Sequence, residues 1–337
     1  MSSIPAPPPP PAPPPAPVLP AEVNSSSSPR LKSSRTYPLL LQLEQNGTQS
    51  EAESVCPLGY TETKDVTVEE FIEEISKLVS FRLEDFSLTS IQDGDCKDTI
   101  LMVVMPLTKP ILQNGPMCGI VALAEALQIM KKNVYVDPKV ILDEAIKRGY
   151  SKQGEMFSVV AMQTLAEVFG GCQQSSVIDS EVKSTECVQK LVTNILMGFP
   201  ALIPYDADYN HSPSQRKGHA AHWAVIHGLA TCISSSNLNL VTKNSGFEIL
   251  LSSPELTIVQ PIQQNQDKNI TELFKTSSLH VIAHQGKSYR IGLWKYNDLV
   301  ESNQNLKEMA PKLLNNPSEF VFGDIVHGLC SKVLLLK

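Results

Sequence analysis

One short stretch constrains this chain more than any other: Gln113-Asn114-Gly115-Pro116-Met117-Cys118-Gly119, running straight into the apolar segment Ile120–Lys131. Ile120, Leu123, Ala124, Leu127 and Met130 recur at helical spacing, while Glu125 and Gln128 fall elsewhere on the wheel. The spacing therefore predicts a central helix over 118–130 that opens on a cysteine and buries that stripe. The first turn of a helix carries unpaired N–H groups and a partial positive charge. Both favour the thiolate, which is the nucleophilic form of cysteine. Pro116 keeps the approach extended, and Gly119 leaves room beside the N–H groups. Gln113, five residues before the cysteine, offers an amide donor for charge developing on an attacked carbonyl.

A thiol nucleophile needs a base. Four histidines lie close together at 211, 219, 222 and 227. His222, in Ala221-His222-Trp223-Ala224-Val225, stands at a strand start beside a tryptophan that can shield an ion pair. His219 falls in the preceding loop, and His227 faces the opposite side of the strand because the separation is odd. His222 is therefore the expected general base. An acceptor should orient its ring; Asn239 and Gln285 are the candidates, and strand order favours Gln285. His219-x-x-His222 invites a zinc reading, but no cysteine pairs with it in a metal-binding pattern, so no metal or cofactor is expected.

The remainder organises around these segments. Residues 1–65 read as a disordered proline- and serine-rich region; Pro5–Pro20 is nearly all proline and alanine and should populate polyproline II. A peptidase-like domain is expected over 66–337, with its core at about 111–230. Helices are predicted at 67–79, 140–148, 158–169 and 187–197 besides the cysteine helix, several closed by glycine. Strands are predicted at 100–105, 201–203, 223–227, 238–241, 279–283, 289–293, 320–322 and 332–336. Residues 231–276, rich in Ser, Asn and Gln, read as a partly mobile insertion. Helices first and strands second give an α+β class, with a helical lobe packed on an antiparallel sheet.

The 337 residues carry a net charge of −7, which argues against a nucleic-acid partner. No apolar run reaches the ~20 residues of a membrane span, and the N-terminus lacks the basic start of a signal peptide. Seven cysteines without a C-x-x-C pattern fit reduced thiols, so the expected location is cytoplasmic.

The glutamine–cysteine–histidine order is similar to that of papain-like thiol peptidases. A longer set is more specific: the Gln113–Gly119 motif, Arg148-Gly149-Tyr150, Gln153-Gly154-Glu155-Met156-Phe157, Ile203-Pro204-Tyr205-Asp206, Arg216–His219 and His222–Val225, with Gln285-Gly286-Lys287-Ser288 later. Together with the proline-rich head they resemble the actin maturation protease family, cytosolic cysteine aminopeptidases related to the C39 peptidases. The resemblance implies a papain-like or C39-like fold, with Cys118 as nucleophile, His222 as base and Gln113 at the oxyanion. The implied substrate is immature actin, from which acetylated Met or Cys is removed to leave an acidic N-terminus. Arg216 and Lys217, with Arg148 and Lys152 nearby, are candidates for holding those acidic residues. Profilin is the implied partner of Pro5–Pro20. Two other readings compete: a non-catalytic proline-rich cytoskeletal adaptor, and an acyltransferase using the same Cys/His site.

Overall fold

The computed structural model describes residues 62–82, 86, 98–131, 134–179, 185–262, 267–276 and 278–337. All of these belong to one compact unit, Cys56–Lys337. The proline-rich head, with its expected disorder and profilin contact, lies outside the described residues.

In chain order the elements are β1 (Glu62–Thr63), α1 (Val68–Ser80), β2 (Asp98–Val104), β3 (Ile111–Leu112), α2 (Cys118–Met130), α3 (Pro138–Lys147), α4 (Val159–Gly170), β4 (Ser176–Asp179), α5 (Thr185–Leu196), β5 (Ala201–Asp206), β6 (Ala221–Ser234), α6 (Ser235–Thr242), β7 (Phe247–Ser252), β8 (Leu256–Pro261), α7 (Lys268–Leu273), β9 (His280–His284), β10 (Gly292–Lys295), α8 (Tyr296–Gln304), α9 (Pro311–Leu314), α10 (Ile325–Gly328) and β11 (Lys332–Leu335). Local chemistry sets several boundaries. Thr67 and Glu70 form a reciprocal capping box at the start of α1. Ser158 caps α4, and Gly171 closes it in the left-handed conformation.

The class is α+β, but the architecture departs from the expected lobe on an antiparallel sheet. The main sheet runs β4-β11-β5-β6-β2-β8-β7, with β9 on β6 and β10 on β9. It is mixed, because β2 and β8 pair in parallel, Ile100 opposite Leu256. Helices cover both faces. Leu202, Trp223 and Val225 pack with α2, α3 and α4. Their neighbours Ile203, Ala224 and Ile226 pack with α5, α7 and α8 on the other side. Residues adjacent along a strand thus enter different cores. Burial on both faces explains why β5 and β6 read as continuous apolar runs instead of alternating ones.

Other expectations also change. Residues 238–241 belong to helix α6, not a strand. The stretch 231–276 is not an insertion without structure: it holds the end of β6, α6, β7, β8 and α7, anchored by the parallel β2–β8 pairing. The strand expected at 289–293 is β10, displaced to 292–295. Residues 320–322 are not strand; Phe322 stacks on Phe157 with centroids 6.4 Å apart, and the Val321 N–H goes to the Glu155 carboxylate. Finally, the burial of α2 extends beyond the expected stripe. Gly119 through Gln128, Glu125 and Gln128 included, are all inside, as befits a helix apolar nearly all round.

β6 is the spine. Its first half pairs with β5, its second half with β2, and its other edge with β9. The end of β6 nearest α2 brings His222 toward the start of the cysteine helix.

Candidate active site

Cys118 is the first residue of α2, and the capping residue before it, Met117, makes no side-chain cap bond. The capping side chain therefore leaves the first-turn N–H groups untouched. A loop packs tightly against this helix start. A Cβ on Gly119 would lie 2.9 Å from Met156 Cβ, and one on Gly154 (φ +117) would lie 2.5 Å from Met117 Cγ. Glycine is required at both positions. The loop is held by the buried Glu155 carboxylate, which accepts the N–H groups of Lys152 and Gln153, each at 2.8 Å. The Trp223 indole closes the contact by donating to the Met156 carbonyl at 2.9 Å.

His222 lies opposite Tyr205 in the β5–β6 register, with the rings 5.7 Å apart. His222 Nε2 donates to the Gln285 carbonyl at 2.7 Å, with Gln285 Oε1 at 3.3 Å. That fixes the tautomer: Nε2 carries the hydrogen, and Nδ1 is left as the basic nitrogen. Three shared neighbours put Cys118 and His222 in one site. The Trp223 backbone N–H, one residue from His222, is near enough to the Cys118 sulfur to favour its thiolate. The Tyr205 ring, 5.7 Å from that of His222, carries a hydroxyl close enough for a Cys118 thiolate to disfavour its ionisation, which burial already opposes. The Lys287 ammonium acts on both Cys118 and His222.

The protonation states differ from the thiolate that a helix start alone implies. Burial pushes the Cys118 thiol above its ordinary range, against the N–H groups of Trp223 and Gly119 and the Lys287 charge. Burial also depresses His222 to about 4, despite its bonds to Gln285. The resting pair is therefore a neutral thiol beside a neutral imidazole, which suits proton transfer during attack. The same N–H groups and ammonium stabilise the thiolate once it forms.

Gln113 flanks the helix start. Its backbone N–H donates to the Gly286 carbonyl at 2.8 Å, and its Nε2 donates to the Gly115 carbonyl at 2.7 Å. An amide nitrogen has two hydrogens, so one donor is left over. Asn239 sits on α6, beyond the far end of β6, while His222 makes its bonds to Gln285. His219 turns to Glu308 at 3.0 Å, so His219 and His222 face different partners.

Each cation proposed from sequence has a partner within the chain. Arg216 stacks on Tyr209 at 4.7 Å, Lys217 pairs with Glu308 at 3.4 Å, Arg148 with Glu144 at 2.7 Å, and Lys152 donates to the Ser318 carbonyl at 2.7 Å. The Arg216–Lys217 loop is shaped by Asp206, fully buried, whose carboxylate accepts the backbone N–H groups of Arg216, Gly218 and Ala220.

Sequence reasoning assigned no role to Asp206, Tyr205 or Lys287. An acidic residue ending an apolar strand is a weak signal for Asp206. Lys287 stands two residues after Gln285, close enough that a search for charge beside the His222 acceptor would find it.

Comparison with known proteins places the chain in a family. Residues 108–230 match the family described as actin maturation protease-like, C-terminal domain. The actin maturation protease of Danio rerio is 32% identical over 276 residues, spanning 80% of this chain and 82% of the relative. The chain belongs to the actin maturation protease family. The family's protein from Xenopus tropicalis is 31% identical over 270 residues, 79% of this chain and 80% of the relative. That from Homo sapiens is 32% identical over 272 residues, 78% and 71%. No solved structure matches significantly. The matched family domain contains Gln113, Cys118 and His222 and stops before Gln285 and Lys287. No described helix is long and apolar enough to cross a membrane.

Proposed function

We propose that this chain is a cysteine aminopeptidase that removes the acetylated Met or acetylated Cys from the N-terminus of immature actin. Family membership supports a peptidase acting on actin. The observation that carries the chemistry is the neutral His222, hydrogen-bonded through Nε2 to Gln285 and sharing Trp223, Tyr205 and Lys287 with Cys118.

In this reading His222 Nδ1 takes the thiol proton as Cys118 sulfur attacks the carbonyl carbon of the acylated first residue. The tetrahedral oxyanion is held by the Cys118 backbone N–H and the spare hydrogen of the Gln113 amide, each donor worth roughly 3–4 kcal/mol in the transition state. The C–N bond then breaks, and His222 returns its proton to the leaving amine, which is the new actin N-terminus. Water, deprotonated by His222, attacks the thioester carbonyl and releases the acetylated amino acid and free Cys118. Arg216 and Lys217 would meet the acidic residues behind the scissile bond, exchanging Tyr209 and Glu308 for substrate carboxylates. Pro5–Pro20 would bring the enzyme to profilin-bound actin in the cytoplasm, since preformed polyproline II binds with little ordering cost.

The test is incubation of the full chain with acetylated Met- and Cys-initiated acidic peptides, with mass spectrometry as the readout. Loss of the first residue, abolished in Cys118→Ala, is the expected result. No loss from either peptide, or full activity in Cys118→Ala, sinks the reading. Transfer of the acyl group to an added amine in preference to water would identify an acyltransferase instead.

A further inference from the structure

Among the described residues, one ion pair is buried at both ends. Glu125 of α2 and His284 of β9 are 0% and 1% exposed, and His284 Nδ1 lies 2.8 and 2.9 Å from the two carboxylate oxygens. Burial opposes charge on His284, but the charge and hydrogen bond of Glu125 outweigh it and hold the imidazole above its usual range. Buried ion pairs contribute little net stability compared with apolar packing. The location of this one points to another role.

Glu125 is seven residues beyond Cys118, so both lie on one face of α2, two turns apart. Its carboxylate also accepts the Ile111 N–H at 2.8 Å, and Ile111 leads directly to Gln113. His284 pairs with Val225 of β6 and immediately precedes Gln285, the acceptor for His222. The Gly286 carbonyl takes the Gln113 N–H at 2.8 Å, which closes a ring of contacts. One carboxylate thus ties together the helix of the thiol, the segment of Gln113 and the strand end that orients His222.

We infer that Glu125 and His284 are positioning residues, a buried brace that fixes α2 against the Gln285 turn and so sets Cys118 against His222. The inference rests on the reading of Cys118 and His222 as a reacting pair. Without the brace, the Gln113–Gly286 bond would be left to hold the Gln285 turn beside the start of α2.

The experiment compares Glu125→Gln, which keeps an acceptor for Ile111 but removes the charge, with Glu125→Asp, which keeps the charge but draws it back by one methylene. Both are assayed below their melting temperatures for kcat, KM and the rate of Cys118 alkylation by iodoacetamide near neutral pH. The half-buried Cys232 and Cys330 serve as internal control thiols. Misplacement of the pair should lower kcat and slow Cys118 alkylation by about 10- to 100-fold. KM should stay within about twofold, and the control thiols should react at wild-type rates. In a His222→Ala background, Glu125→Gln should slow alkylation no further, because the alignment it protects is already gone. Wild-type alkylation and kcat in both variants would overturn the inference. So would parallel changes at all three thiols, or an additive effect in His222→Ala. If a single variant does not fold, Glu125→Gln with His284→Gln, a neutral hydrogen-bonded pair, takes the same measurements. The alkylation arm uses no actin, so a mistaken substrate leaves it intact.

Discussion

His222 and His227 lie on the same strand, and their differences are more instructive than their likeness. Both are buried, and burial depresses both to about 4. Each is hydrogen-bonded to a backbone carbonyl: His222 through Nε2 to Gln285 at 2.7 Å, His227 through Nδ1 to Met105 at 2.9 Å. What separates them is the other nitrogen. In His227 it is Nε2, buried without a hydrogen-bond partner in a ring that packs 5.8 Å from Phe71. In His222 it is Nδ1, in a ring flanked by Tyr205 and His211 and sharing neighbours with a half-buried thiol. A shifted pKa therefore marks burial, and only the surroundings of the remaining nitrogen mark a site.

The largest expected contrast is in turnover. His222→Ala should lose roughly 10²–10⁴-fold in kcat, while His227→Ala, assayed below its melting temperature, should stay within about threefold. Equal losses would erase the distinction. Next comes the acid limb of kcat/KM. With His222 held near 4, activity should persist through pH 6 and fall only as pH drops through about 4. A limb near the ordinary histidine value would mean that the ring is solvated. Stability should show the two rings behaving alike. Each binds its proton more weakly folded than unfolded, so stability is full above the unfolded value of about 6.5 and is lost as pH falls toward 4. By pH 5 each ring should account for roughly 2 kcal/mol, opposed by His284, whose shift is upward. Denaturant midpoints between pH 7 and pH 5 check this, and either alanine variant should flatten the slope. The smallest effect belongs to the loop beside the His222 end. Arg216→Ala and Lys217→Ala should raise KM for an acidic peptide by about threefold or less, because exposed charge pairs are weak. A larger rise would give that loop the main part in substrate recognition.

Legibility of the site and fold in the sequence depended on distance along the chain. The Cys118 helix and the glycine-closed helices were readable because their signals are local. Gln285 could be chosen because β9 does pair with β6, one residue short of it. The 14-residue length of β6 was not readable: buried on both faces, it shows no alternation to count. By spacing alone Glu125 falls off the buried stripe, because its neutralising partner lies 159 residues away on β9. The pairing of β8 with β2 was hidden for the same reason, inside a polar-rich stretch. Lys287 escaped because a single lysine in a turn carries no pattern at all.

The α8 helix has a consequence for what the smallest active chain can be. Its Ser302 hydroxyl donates to the Asp206 carbonyl at 2.8 Å and accepts the Asp206 N–H at the same distance, and Asn303 Nδ2 donates to the Pro204 carbonyl at 2.7 Å. Pro204 stands opposite Trp223, the residue that follows His222 on β6. A chain cut at residue 230 would keep the thiol and the imidazole, yet β5 would lose its clamp and His222 its acceptor. On the proposed mechanism, the contacts that support the Cys118–His222 site therefore extend through at least residue 303, and an early stop after β6 should leave the thiol and the imidazole without activity.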